Sequence, residues 1–165
     1  MTGSVDHSEQ YVLHPSVAAK WWLYHTPNAP EASRFLSESL AARAVRLLAV
    51  DDIEPRVLGE IAAELGPSFD VPLAELIAED VHLLFSELER EGLLRLTAQP
   101  SLIRDAFLGA AQYQIPFADA LPIVLAERSA APLLVLDEAL YQLLQGLETS
   151  RPGLKVTWLP DLIGR

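Results

Sequence analysis

The sequence predicts an α/β domain, a three-layer α/β/α sandwich with a central parallel sheet. Short apolar runs alternate along the chain with longer segments in which apolar residues recur at helical spacing. The runs are mainly apolar, Arg46 excepted, which is typical of parallel strands covered by helices on both faces. With 165 residues, 50% of them hydrophobic, the chain is long enough for one packed domain. We assign residues 1–10 to a polar N-terminal lead and residues 11–165 to this single domain.

Five strands are predicted from short apolar segments that end at polar or turn-forming residues. The segments are Tyr11–Leu13, Val45–Ala49, Leu94–Leu96, Leu133–Leu136 and Lys155–Leu159. At least one helical segment separates each strand from the next, as a parallel arrangement requires.

Seven helices are predicted between the strands. They cover Ser16–Tyr24, Glu31–Ala44, Asp51–Gly66, Leu73–Glu91, Ser101–Tyr113, Ala118–Arg128 and Glu138–Leu147. Ser16 is a suitable N-cap for the first helix, and Pro30 stands at the first turn of the second. The helix over Leu73–Glu91 is expected either to be continuous or to break near Ala78 and Glu79.

The charge balance and the lack of cysteine narrow the classes of function. The chain has 23 acidic and 12 basic residues, a formal net charge of −11, opposite in sign to proteins that coat phosphate backbones. This disfavours general nucleic-acid binding but leaves a small local site open. Zero cysteines exclude disulfides, thiolate nucleophiles and Cys-ligated zinc. No signal peptide or bilayer-length apolar run is visible, so we expect a cytoplasmic protein without membrane association.

Four places lie where a doubly wound sheet carries its functional groups, at the carboxyl ends of the strands. They are His14, the segment Asp51–Arg56, Asp119 and Asp137. Each also has a purely structural interpretation: Asp137 as a helix N-cap, Asp119 as a carboxylate that complements a helix dipole, and His14 as an ordinary hydrogen-bonded residue. No histidine metal spacing, glycine-rich phosphate loop or Gly-x-Ser-x-Gly motif is present in the sequence.

Three segments carry a further pattern. Tyr11–Trp21 joins a strand to a helix and contains Ser-Val-Ala-Ala-Lys-Trp, Ile115–Glu127 contains Phe-Ala-Asp-Ala-Leu, and Ala131–Leu140 contains Pro-Leu-Leu-Val-Leu-Asp. In this order and spacing, and with the ending Val156–Pro160, they resemble the PIN-domain family, close to the VapC-type toxins. The resemblance covers residues 11–160 and implies a PIN-like sandwich.

The resemblance also implies a metal-dependent endoribonuclease in which about four acidic residues at the sheet edge hold Mg²⁺ or Mn²⁺. Asp119 and Asp137 match two of these positions and are the candidate catalytic and metal-binding residues, while His14 and Arg56 stand at the other two. Four carboxylates would carry −4, whereas neutral His14, positive Arg56 and two aspartates carry −1. Since one charge pair at about 4 Å is worth on the order of 4 kcal/mol at a dielectric near 20, we expect no tight Mg²⁺ site. Arg56 is then a candidate counter-ion for both aspartates.

Two alternatives keep a metal site open. The second carboxylate can come from Asp51, Asp52, Glu54 or Glu60. Glu60 lies four residues after Arg56 on the same helix face, so it can instead pair with Arg56. His14 can ligate a softer metal such as Mn²⁺ or Zn²⁺.

We therefore expect a degenerate PIN-like domain that lacks nuclease activity, needs no cofactor, acts through protein contacts and forms a homodimer. The alternative is a Mg²⁺- or Mn²⁺-dependent endoribonuclease of the toxin–antitoxin type, which cleaves single-stranded RNA and is held in check by an antitoxin. A third hypothesis is a protein that binds RNA without cutting it, which the net charge disfavours. An active enzyme requires Asp119 and Asp137, whereas a scaffold is indifferent to both except in stability.

Overall fold

The computed structural model describes residues 8–164, and in this part of the chain five strands form one sheet. The strands are β1 (Glu9–Leu13), β2 (Val45–Val50), β3 (Leu94–Thr97), β4 (Leu133–Val135) and β5 (Val156–Trp158). Their order is β3-β2-β1-β4-β5, and every neighbouring pair is parallel. The predicted α/β class with a central parallel sheet is therefore confirmed. The strand order changes direction between β1 and β4, so functional groups are expected at the carboxyl ends of these two strands.

Eight α-helices flank the sheet within the described residues. They are α1 (Pro15–Ala19), α2 (Ala29–Arg34), α3 (Ile53–Leu65), α4 (Val71–Arg90), α5 (Ile103–Tyr113), α6 (Phe117–Ser129), α7 (Glu138–Glu148) and α8 (Leu159–Ile163). A π-helix over Phe35–Leu40 continues α2, and short 3₁₀ segments at Gly66–Ser68 and Gln99–Ser101 follow α3 and β3.

The core has two apolar layers, one on each face of the sheet. Leu13 of β1 packs on one face in a cluster that contains Val57 of α3. Its neighbour Val12 packs on the other face in a cluster that contains Leu121 of α6 and Leu144 of α7. Successive residues of a strand point to opposite faces, so the helices on the two sides and the sheet between them form the expected three-layer sandwich.

The first predicted helix is shorter than expected. α1 ends at Ala19 rather than near Tyr24. The amide N–H groups of Trp21 and Trp22 donate to the carbonyls of Ala18 and Ala19, three residues back. These tight turns replace the α-helical bonding that the apolar residues alone would have allowed.

The second predicted helix, over Glu31–Ala44, changes its winding. After α2 the amide of Ala41 donates to the carbonyl of Leu36, five residues back, which is the bonding of a π-helix. Apolar periodicity does not separate the two kinds of winding, so the sequence predicted a single α-helix.

The remaining differences concern α4, α8 and the N-terminus. α4 is continuous through Ala78 and Glu79, and no glycine or proline lies between Leu73 and Glu91 to interrupt it. α8, which has proline in its first turn, was not predicted. β1 begins at residue 9, inside the predicted lead, while residues 1–7 of that lead are outside the described residues. No helix within residues 8–164 is long and apolar enough to cross a membrane.

Candidate functional site

Three of the four predicted site residues meet at the carboxyl edge of the sheet. His14 directly follows β1, Arg56 lies in the first turns of α3, and Asp119 lies in the first turn of α6. Oδ1 of Asp119 is 3.0 Å from Nε2 of His14 and 3.0 Å from Nη2 of Arg56, so one carboxylate oxygen accepts from both side chains. The fourth residue, Asp137, follows β4 and its carboxylate bonds elsewhere.

His14 is held in place by the turn from β1 into α1. Its amide donates to the carbonyl of Leu134 in β4 over 3.1 Å, which ties the ends of the two central strands together. Its side chain is the N-cap of α1, since Nδ1 accepts from the amide of Ser16 over 3.1 Å. The predicted N-cap, Ser16, is therefore wrong by two residues, because the imidazole satisfies the helix amide and Pro15 occupies the first helical position.

The hydrogen bonds around His14 determine its tautomer. Nδ1 accepts from the backbone N–H of Ser16, so it cannot carry a proton of its own. Oγ of Ser16 accepts from the amide of Leu136 over 3.0 Å and lies 2.8 Å from the same Nδ1, to which its hydroxyl proton is donated. The proton of the neutral ring is therefore on Nε2, which donates to Asp119. His14 is only 3% exposed, so this arrangement is shielded from water.

Arg56 lies against the start of α6 as a fixed cation. Besides its bond to Asp119, its Nη1 donates to the carbonyl of Ala118 over 2.6 Å. The side chains of Arg56 and Asp119 are 18% and 22% exposed, so their ion pair is largely removed from solvent. The guanidinium stays charged at any pH at which the chain is folded, which places one permanent positive charge at this edge of the sheet.

Asp119 is ionised in this setting. Burial raises the pKa of its carboxyl, but the hydrogen bonds from His14 and Arg56, together with the positive charge of the guanidinium, outweigh burial and hold the pKa below its usual value. The carboxylate is therefore a permanent acceptor, with two donors bound to the same oxygen.

Glu60 is the acidic residue on α3 that joins this cluster. It lies one helical turn after Arg56 and is half-buried. Burial raises the pKa of Glu60, and the nearby charges of Asp137 and Asp119 raise it further, against the opposing influence of His14 and Arg56. The Arg56 guanidinium bonds to Asp119 and Ala118 rather than to Glu60. Of the two roles that the sequence allowed for Glu60, a displaced carboxylate fits these contacts better than a partner of Arg56.

Asp137 is exposed and is the N-cap of α7. Its Oδ1 accepts from the amide of Leu140 over 2.9 Å. The sequence allowed two roles for Asp137, an N-cap and a site residue, and the structure shows the N-cap. Arg56 was predicted as the counter-ion of both aspartates. It pairs with Asp119, whereas the carboxylate of Asp137 bonds to its own helix.

Two of the other acidic residues considered for the second carboxylate, Asp51 and Glu54, have different partners. Asp51 accepts from the amide of Gln99 over 3.2 Å, and Glu54 lies 3.2 Å from Nδ1 of His82. Asp52 is half-buried, and burial raises its pKa against the opposing charge of Arg56. Of the two candidates whose pKa is shifted, Asp52 and Glu60, only Glu60 responds to the charge of Asp119.

The arrangement does not fit a divalent cation. Within residues 8–164, no group of three or more histidine, aspartate or glutamate side chains is placed so that it could hold a metal ion. One of the two carboxylate oxygens of Asp119, Oδ1, is occupied by the Arg56 guanidinium and the His14 ring. The cluster connects α6 to α3 and to the end of β1 through hydrogen bonds to the charged Asp119 side chain. It presents no cation-binding cage.

Comparison with protein-family models finds no match to this chain. Comparison with curated proteins likewise finds no match. The PIN-domain resemblance therefore depends on the sequence motifs, and membership of that family is a proposal.

The sequence did not indicate the part played by Ser16 and Leu136. Their bond joins residues 120 positions apart, and it holds the Ser16 hydroxyl beside Nδ1 of His14. The only available signal was the position of a serine two residues after a histidine at the end of a strand.

Proposed function

We propose that this chain is a PIN-like domain without nuclease activity, in which an internal arginine takes the place of the catalytic cation, and that it acts by binding other proteins. The observation that carries the proposal is the contact of Arg56 Nη2 with Asp119 Oδ1 at 3.0 Å, on the oxygen that also binds His14. The retained aspartate is thereby neutralised by the chain itself.

Electrostatics explains why this contact opposes a metal ion. An ion near Asp119 would approach the fixed charge of Arg56, and two unit charges at about 4 Å repel by about 4 kcal/mol at a dielectric near 20. A divalent ion doubles that repulsion. An ion at Asp119 would have to bind the other carboxylate oxygen, Oδ2, since both donors bind Oδ1.

An apolar groove beside α4 supports the protein-binding part of the proposal. Two adjoining cavities of about 330 and 340 Å³ lie between the π-helix and α4 and share Leu36, Leu84 and Glu87. Tyr24 and Leu83 at one end are 68% and 58% exposed, so they extend the groove into an apolar surface of the kind that partner proteins cover.

The charges around this groove indicate the chemistry of the partner. Asp80, Glu87 and Glu91 line it alongside the apolar side chains, and the chain carries a net charge of −11. An amphipathic segment of a partner protein, with leucine-like residues on one face and lysine or arginine beside them, matches both features. We assign the groove to such a segment.

The nuclease part is tested with single-stranded RNA. The purified chain is incubated with a fluorescent RNA and millimolar Mn²⁺, and Asp119→Asn serves as the control because it keeps the size of the side chain. We expect the two proteins to give the same background cleavage. Cleavage by the wild-type chain that Asp119→Asn abolishes would refute the proposal and establish the ribonuclease.

The groove is tested with two designed helical peptides of equal length, one of leucine and lysine and the other of leucine and glutamate. The lysine peptide is expected to bind, and Glu87→Lys to weaken it more than Glu75→Lys, which makes the same charge change on α4 outside the groove. Equal binding of the two peptides, or equal weakening by the two variants, would contradict the assignment.

A Mg²⁺- or Mn²⁺-dependent endoribonuclease is the competing function, and one observation favours it. Glu60 places a half-buried carboxylate near Asp119 and Asp137, so three acidic residues share one region of the site. Cation binding there would require the Arg56 guanidinium to move away from Asp119.

A further inference from the structure

Another cavity lies at the open edge of the sheet, apart from the groove beside α4 and from the His14–Arg56–Asp119 cluster. It has a volume of about 240 Å³ and is formed by β3, the residues that follow β3, and the last turns of α6. Leu48, Leu102 and Leu125 supply its apolar wall, and Arg95, Thr97 and Arg128 supply polar groups. Two arginines thus converge on one small cavity in a strongly acidic chain.

Arg95 stands at an unusual position for a charged side chain. In the parallel register it lies beside Leu48 of β2, and Leu48 belongs to the apolar layer under α6. Neighbouring residues in a parallel register share a face of the sheet, so Arg95 points to the α6 side, where β3 is the edge strand. Because β3 has no neighbour beyond it in the described sheet, the side chain remains exposed.

The surroundings of Arg95 leave its charge without a carboxylate. Within residues 8–164 no carboxylate lies within 4 Å of its guanidinium, whereas Arg34, Arg43, Arg56 and Arg128 each have one. Acidic residues outnumber basic ones by 23 to 12, so an arginine in this chain has many potential partners. An uncompensated guanidinium at the mouth of a cavity is suited to an anion that comes from solution.

The guanidinium of Arg128, the other arginine of the cavity, is held in place by hydrogen bonds. Its Nη2 donates to Oδ2 of Asp105 over 2.6 Å, and its Nη1 donates to the carbonyl of Ser101. A guanidinium has five N–H donors, so these two bonds orient the group and leave others for a ligand. Asp105 cancels part of the charge of Arg128, and Arg95 restores a net positive charge to the cavity.

We propose that this cavity binds a small organic phosphate monoester. The phosphate lies between the guanidinium groups of Arg95 and Arg128, and the apolar body of the ligand lies on Leu48, Leu102 and Leu125. A phosphate dianion matches two guanidinium groups better than a carboxylate does, because it carries more charge and offers three oxygens to their planar donors. The volume of about 240 Å³ accommodates a body of roughly one or two rings.

Phenyl phosphate is the probe, and its binding to the whole chain is measured by calorimetry against inorganic phosphate and phenol. We expect phenyl phosphate to bind more tightly than either, because only it uses both the arginines and the apolar wall. Arg95→Gln is expected to weaken this binding by at least about tenfold through the loss of charge-assisted hydrogen bonds. Arg95 is exposed, so the substitution leaves the core intact.

Arg104→Gln is the matched control. Arg104 is also exposed and lies on α5 outside the cavity, so the variant loses the same charge without altering the proposed site. Its affinity for phenyl phosphate is expected to equal that of the wild-type chain. Undetectable binding of phenyl phosphate, equal affinity for phenyl phosphate and inorganic phosphate, or equal weakening by the two variants would each overturn the proposal.

Discussion

Replacing Arg56 with methionine removes the guanidinium and keeps most of the length of the side chain. An exposed ion pair contributes about 0–1 kcal/mol, and loss of one partner of a fully buried pair costs about 3–5 kcal/mol. The side chains of Arg56 and Asp119 are 18% and 22% exposed, between these limits. We therefore expect Arg56→Met to lower the free energy of unfolding by about 1–3 kcal/mol, measured by urea denaturation at neutral pH.

A double-mutant cycle isolates the pair. Arg56→Met, Asp119→Asn and the double variant are expected to give a coupling energy of about 1–2 kcal/mol, since the two side chains share a hydrogen bond. The pKa of Asp119 is lowered in the folded state, so the pair stabilises fully above the usual aspartate pKa of about 4 and loses this contribution as the pH falls through the lower, folded value. A coupling energy near zero, or a cost of Arg56→Met that does not shrink in acid, would refute the reasoning.

Three further substitutions test other contacts of the site. Glu60→Gln is expected to raise the free energy of unfolding at neutral pH, because the pKa of Glu60 is raised in the folded state and its charged form is disfavoured there. The gain should vanish below about pH 4, where the carboxyl is protonated in both states. Urea unfolding that shows no gain at pH 7 would contradict this prediction. Asp137→Ala should cost about 1 kcal/mol through the lost N-cap of α7, while Asp137→Asn, which can still cap, should cost much less in the same assay. Ser16→Ala leaves the buried amide of Leu136 without its acceptor and should cost about 1–3 kcal/mol, with Ser16→Thr as the control that retains the hydroxyl.

The sheet could be predicted because its strands are mainly apolar. The run Leu133–Leu136 and the run Val45–Ala49, in which Arg46 alone is charged, favour burial between two helical layers, and both are strands in the structure. The N-cap role of Asp137 could also be predicted from the sequence. An aspartate between a strand and a helix can cap that helix through a local bond, which needs no distant partner.

The contacts of the site could not be predicted to the same depth, because they join residues far apart in the chain. Arg56 bonds to Asp119 across 63 positions, and local sequence patterns do not distinguish between Asp119, Asp137 and Glu60 as its partner. The hydroxyl beside Nδ1 of His14 is held by an amide from another strand end, that of Leu136. The position of Arg95 beside Leu48 follows from the register of β2 and β3, which apolar periodicity does not specify.

The thermal midpoint of the wild-type chain with and without millimolar Mn²⁺ or Mg²⁺ tests the central claim most directly, with Asp119→Asn as the control. A cation at a hundred times its Kd would stabilise the folded state by about 2.7 kcal/mol and raise the midpoint by roughly 5–10 °C for a chain of this size. If Arg56 takes the place of the cation, neither metal changes the midpoint. A rise in the midpoint that Asp119→Asn abolishes would contradict the account and favour the metal-dependent ribonuclease.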